Sequence, residues 1–179
     1  MSADDRRFTP LGGRTVHHGR IIDLRVERFR YPDGEEVQRE IIRHQGAAAA
    51  VVHDDTHLFL VRQPRETVGD PDFLEIPAGR LDHEAESPLQ AMQRELAEEI
   101  GKAAEHWEPI TSYVSSVGVM DEIVHVFHAT GLTDASARAE HNERIEVVRW
   151  SLSDIDGAIA ATRDAKTLIG LLWLKTHRA

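Results

Sequence analysis

No cysteine occurs among the 179 residues, which excludes disulfides and thiolate zinc sites. Aromatic residues make up only 6% of the chain. The longest uncharged apolar stretch, Gly46 to Val52, is far too short to span a bilayer. Positive charge is also scarce: 21 Lys and Arg stand against 31 Asp and Glu, a formal net charge of −10. That balance argues against nucleic-acid polymers and anionic membranes as partners, and makes an anionic substrate awkward unless metal ions bridge it. The opening residues, MSADDRRFTP, lack the apolar core of a signal peptide. What remains, 41% hydrophobic and 29% charged, has the composition of a soluble globular protein, expected to be cytoplasmic and of one domain.

The informative segment is GRLDHEAESPLQAMQRELAEEIGK, Gly79 to Lys102. Ser87-Pro88-Leu89-Gln90 predicts a helix start, with Ser87 as N-cap, Pro88 at the first helical position and Gln90 completing a capping box. Gly101 predicts the stop. Leu89, Met92, Leu96 and Ile100 supply an apolar stripe. Glu95, Glu98 and Glu99, at i, i+3 and i+4, share another face. Like charges so placed repel, so a cation is needed to offset them, and oxygen-only ligands suit a hard ion such as Mg²⁺ or Mn²⁺. The competing reading is a solvated acidic helix face.

This segment resembles the Nudix box: a glycine, a glutamate, then Arg-Glu-aliphatic-any-Glu-Glu-any-Gly, matched by Gly79, Glu86 and Arg94 to Gly101. Six residues rather than five separate Gly79 from Glu86, and Lys102 stands where the box has an aliphatic residue. Arg39 to His44, Gly46 to Val52, Val61 to Arg65, Leu74 to Gly79 and Gly118 to Glu122 are similar, in order, to segments of the ADP-ribose pyrophosphatase branch. Ser116-Val117-Gly118 replaces that branch's Ser-Pro-Gly. The resemblance covers roughly residues 14 to 175. It implies the Nudix fold, an α/β/α sandwich around a mixed sheet with N-terminal antiparallel strands, and Mg²⁺-dependent (Mn²⁺ possible) cleavage of ADP-ribose to AMP and ribose 5-phosphate. Rival readings are another nucleotide sugar or dinucleotide, a damaged nucleoside triphosphate, and a module that senses a nucleotide without cleaving it.

Along the chain, residues 1–13 read as a loose tail before one domain over 14–179. A hairpin is predicted from Arg20 to His44 around Pro32-Asp33-Gly34, and a lone hairpin needs something to pack on. In the resembled branch such strands pair with a second subunit, so a homodimer is expected. Further strands are predicted at Ala47 to His53, His57 to Gln63, Phe73 to Ile76, Trp107 to Ser115, Glu122 to Thr130 and Ile145 to Leu152. Leu132 to Asn142 reads as a loop. Ser153 and Asp164 are the predicted N-caps of two closing helices.

Pyrophosphate hydrolysis needs neutralised phosphate oxygens, an aimed water and a base. Glu95 and Glu99 are the leading metal ligands and Glu98 a third, with the Ala78 carbonyl added by the resemblance. Glu86 and Arg94 are expected to pair structurally, with Gly79 and Gly101 shaping the motif. The resemblance places the catalytic base at Glu122, with Glu143 and Glu146 as rivals. Arg39, Arg43, Arg62 and Arg65 are candidate substrate contacts, because guanidinium groups grip phosphate bidentately. Glu75 is a candidate contact to substrate or metal. Phe29, Tyr31 and Phe73 offer rings for adenine or, equally, core packing. The eleven histidines show no metal-ligand spacing.

Overall fold

A computed structural model describes residues 7–135 and 144–177. The chain forms two compact units. The first comprises the segment ending at Gly46 together with Val114–Ile123. The second comprises Ala47–Tyr113 and the segment from Val124 onward. No proline-rich or glycine-rich linker marks the division, since the chain passes between units at strand ends.

The first unit is a three-stranded antiparallel sheet of β1 (Thr9–His18), β2 (Ile22–Arg30) and β3 (Glu36–His44) in that order. The hairpin is in register from Ile22 opposite His44 to Arg30 opposite Glu36. β1 corrects the expectation of a loose tail through residue 13. Its pairing with β2 shifts register between Pro10 and Gly13, an irregularity that breaks the alternation by which strands are recognised.

The second unit carries a seven-stranded mixed sheet. Its strands are β4 (Ala47–His53), β5 (His57–Arg65), β6 (Asp70–Glu75), β7 (Ala78–Arg80), β8 (Lys102–Val114), β9 (Ile123–Asp134) and β10 (Glu146–Ser151). The order is β10-β5-β4-β9-β8, with β6 on β5 and β7 on β4, and β4 runs parallel to β9. β8 begins directly after the Gly101 stop, five residues before the predicted Trp107, and β9 extends through residues read as loop.

Alternation along β4 explains the layering. Ala48, Ala50 and Val52 face one core with Met92, Leu96 and Ile100 of α1 (Pro88–Ile100). Ala49 and Val51 face another, with Ala158 of α2 (Ile155–Ala161) and Leu171 and Leu174 of α3 (Ala165–His177). A central strand buried on both faces reads as the continuous run AAAAVV, and each buried Leu or Val contributes about 1.5–3 kcal/mol. The α2 N-cap is Asp154, whose carboxylate accepts the Gly157 N–H, one residue beyond the predicted Ser153. Asp164 accepts the Thr167 N–H at the head of α3.

Candidate active site

Helix α1 sets the geometry. The Ser87 hydroxyl accepts the Gln90 N–H while the Gln90 side chain accepts the Ser87 N–H, closing the capping box. At the other end Gly101 adopts φ 67°, the left-handed stop that glycine tolerates best. Burial of Ala91, Met92, Leu96 and Ile100 fixes the helix's rotation and turns Glu95 and Glu99 toward the Ala78–Gly79 strand.

At that strand the packing is close. The Ala78 N–H donates to Glu99 Oε2 at 3.0 Å. A Cβ built on Gly79 would lie 2.0 Å from the Glu95 carboxyl carbon, so any side chain there would have to displace that carboxylate. Arg94 lies among the acids. Its Nε donates to Glu86 Oε1 at 3.2 Å, and its Nη1 donates to Glu95 Oε1 and Glu98 Oε2, each at 2.8 Å. Partial burial disfavours the charged guanidinium, but the hydrogen bond to Glu86, the charge of Glu95 and the hydrogen bonds to Glu98 and Glu95 outweigh it and raise its pKa. Among the described residues, no three acidic or histidine side chains converge closely enough to grip an ion. Arg94 stands between Glu95 and Glu98 instead.

A second charged cluster lies in the same unit. Glu75 is 1% exposed and accepts Arg65 Nε at 2.5 Å, Arg65 Nη2 at 2.9 Å and the Lys166 ammonium of α3. Burial pushes the Glu75 carboxyl up, yet the Arg65 hydrogen bonds and the Lys166 charge leave it below its usual range. Sequence reasoning missed Lys166, which stands 91 positions from its partner and carries no motif. Arg62 is engaged by Asp72 at 2.6 Å.

In the first unit, Glu122 lies before β9, with its Oε1 3.3 Å from His44 Nδ1. Its neighbour Asp121 accepts Arg43 Nη1 at 2.8 Å and the His44 N–H at 2.9 Å, tying the 114–123 segment to β3. Arg43 also grips Glu27. Arg39 donates to the Gln38 carbonyl and forms no ion pair among the described residues. With Phe29, Tyr31 and Arg43 it lines a cavity of about 550 Å³. Phe29 and Tyr31 both meet Phe8 edge to face. Phe73 lies under the Arg163 guanidinium in the second unit. Glu146 is exposed on β10, and Glu143 lies outside the described residues.

A NUDIX domain model matches residues 43–169. The chain belongs to the Nudix family. Among Nudix relatives, an ADP-ribose pyrophosphatase of Bacillus subtilis is 36% identical over 92% of this chain and 90% of its own length. An ADP-ribose pyrophosphatase of Mycobacterium tuberculosis is 37% identical over 78% of this chain and 68% of its own length. A methanol dehydrogenase activator of Bacillus methanolicus is 32% identical, over 92% and 90%. The solved structure of an ADP compounds hydrolase superposes with a TM-score of 0.84, covering 98% of this chain and 96% of that one at 21% identity. The two thus share the Nudix fold.

Nudix hydrolases use divalent cations, and the α1 face of this chain fits one by the chemistry of its donors. Three carboxylates lie on one helical face, the Gly79 backbone leaves room for them, and the face already draws a guanidinium into its centre. Among the described residues no helix is long and apolar enough to cross a membrane.

Proposed function

We propose that this Nudix enzyme hydrolyses the pyrophosphate bond of ADP-ribose, releasing AMP and ribose 5-phosphate with Mg²⁺ at the α1 carboxylates. The observation that carries this reading is the acidic face of α1, with Glu95 and Glu99 drawn up against Ala78–Gly79, in a chain 36–37% identical to ADP-ribose pyrophosphatases. Bound Mg²⁺ supplies neutralisation of the phosphate oxygens and a lowered pKa for an attacking water.

The chain's own residues do the rest. Glu86 holds Arg94, and with it the 79–86 loop, on the helix. Glu122 accepts the proton of the attacking water. Arg39 is the favoured phosphate contact, because Arg62 and Arg65 are committed to Asp72 and Glu75. Phe29 and Tyr31, beside Arg39 in the 550 Å³ cavity, offer rings for the adenine. A homodimer belongs to this reading, with the β2–β3 hairpin in its interface.

The test is a Mg²⁺-dependent hydrolysis panel of ADP-ribose, other nucleotide sugars, dinucleotides and nucleoside triphosphates. ADP-ribose should give the highest kcat/KM and yield AMP. Preferential cleavage of a triphosphate would overturn the assignment. Light scattering should give twice the 20.1 kDa chain mass; a monomer would remove the dimer from this reading.

A further inference from the structure

Two histidines meet in the second unit, on the sheet face that α3 covers. His53 ends β4 and His128 lies on β9, and their Nε2 atoms are 2.9 Å apart. The rings stack at 5.0 Å with 28° between planes, and Trp173 of α3 packs 5.1 Å from His128. Register places His128 opposite Val51, whereas the Ala78–Gly79 strand lies opposite Ala49 and Ala48. The pair therefore sits toward the far end of β4 from the carboxylate face.

The outer nitrogens decide what the inner ones can do. His53 Nδ1 is 2.8 Å from the Asp54 carbonyl, which only accepts, so the His53 proton resides on Nδ1 and its Nε2 is a bare lone pair. His128 Nδ1 faces the Glu108 carboxylate at 3.8 Å, which favours a proton there too. A proton on His128 Nε2 instead would satisfy the pair while turning a bare Nδ1 toward the carboxylate. A cation between the Nε2 atoms lets both Nδ1–H groups face their acceptors, the arrangement that orients metal-bound imidazoles. With metal–nitrogen bonds of about 2.0–2.1 Å, nitrogens 2.9 Å apart subtend roughly 90° at the ion. That is a cis pair in square-planar or octahedral geometry, which suits Cu²⁺ or Ni²⁺ better than tetrahedral Zn²⁺.

We propose that His53 and His128 form a second metal site, separate from the carboxylate face, that takes one Cu²⁺ or Ni²⁺ ion through both Nε2 atoms with water completing the coordination. The remaining coordination is left to water because no third acidic or histidine side chain among the described residues joins the pair.

The experiment is calorimetric titration of the full chain with Ni²⁺ in excess Mg²⁺, alongside His53→Gln and His128→Gln, with imidazole ¹⁵N spectra at each step. The wild type should bind one equivalent that shifts the Nε2 resonances of His53 and His128. Each substitution should weaken that binding on the order of 100-fold while leaving pyrophosphate hydrolysis unchanged. His53→Gln keeps the test valid should His128→Gln fail to fold. Nε2 resonances that do not move, or Ni²⁺ binding that survives His53→Gln, would overturn the site.

Discussion

Gly79 and Glu95 touch so closely that a methyl group on the first would overlap the carboxyl carbon of the second, 2.0 Å away. The β7 backbone thus sets where a leading metal-ligand candidate can lie. Because that carboxyl is the far end of a flexible side chain, Gly79→Ala should cost the fold less than the about 1–3 kcal/mol usual for overpacking. Displacing Glu95 by an ångström should also lower turnover by about 100-fold. Urea midpoints and kcat on ADP-ribose measure the two effects separately; an unchanged kcat would dissociate Glu95 from the chemistry.

Arg94 serves three carboxylates at once with a planar fork of donors, which an ammonium cannot reproduce. Arg94→Lys should therefore behave as a loss rather than a conservative change. A destabilisation of about 1–3 kcal/mol is expected, the cost of leaving charged partners unsatisfied. Chemical denaturation at neutral pH checks this, and a variant as stable as the wild type would mean that Glu86, Glu95 and Glu98 need no shared cation.

Glu75 should make acid stability steep. Its folded pKa is depressed, so its contribution is full above the unfolded glutamate value of about 4.3 and is lost as pH falls through the lower folded value. Glu75→Gln should remove that dependence while costing stability at neutral pH, where Arg65 and Lys166 lose their acid. Unfolding midpoints from pH 6 down to about 2 would show the wild-type and variant curves converging. Parallel curves would contradict the assignment.

These residues also show what a sequence can disclose. α1 is legible because its cap and stop each lie within four residues of what they bond and its stripe repeats at helical spacing. The Glu75–Lys166 pair is hidden because only the packing of α3 on the sheet brings the two together. β1 is hidden because its pairing with β2 slips register between Pro10 and Gly13, which breaks the local alternation. In the fold Gly13 is pressed against the β2 backbone, a Cβ there falling 2.3 Å from the Val26 carbonyl oxygen. Arg94 is legible as the partner of Glu86, but its bonds to Glu95 and Glu98 depend on rotamers that spacing does not set. His53 and His128 are 75 residues apart and meet through a parallel pairing that no local pattern announces.

Two glutamates separate ligand from base. Glu99→Gln keeps an oxygen for the Ala78 N–H, so the fold should survive while turnover falls by orders of magnitude. Near-normal activity would remove Glu99 from the site. Glu122→Gln should lower kcat by about 10²–10⁴-fold and change KM far less. An unchanged rate would pass the role of base to Glu143 or Glu146.

The central claim is that the α1 carboxylates exist to hold a hard cation against a phosphate chain. Crystals grown with Mn²⁺ and a non-hydrolysable ADP-ribose analogue test it most directly, through the anomalous signal of the ion. An ion among Glu95, Glu98 and Glu99, touching the pyrophosphate, with Arg94 withdrawn to Glu86, is the predicted result. Arg94 still bridging Glu95 and Glu98 beside a bound analogue, with no ion between them, would contradict it.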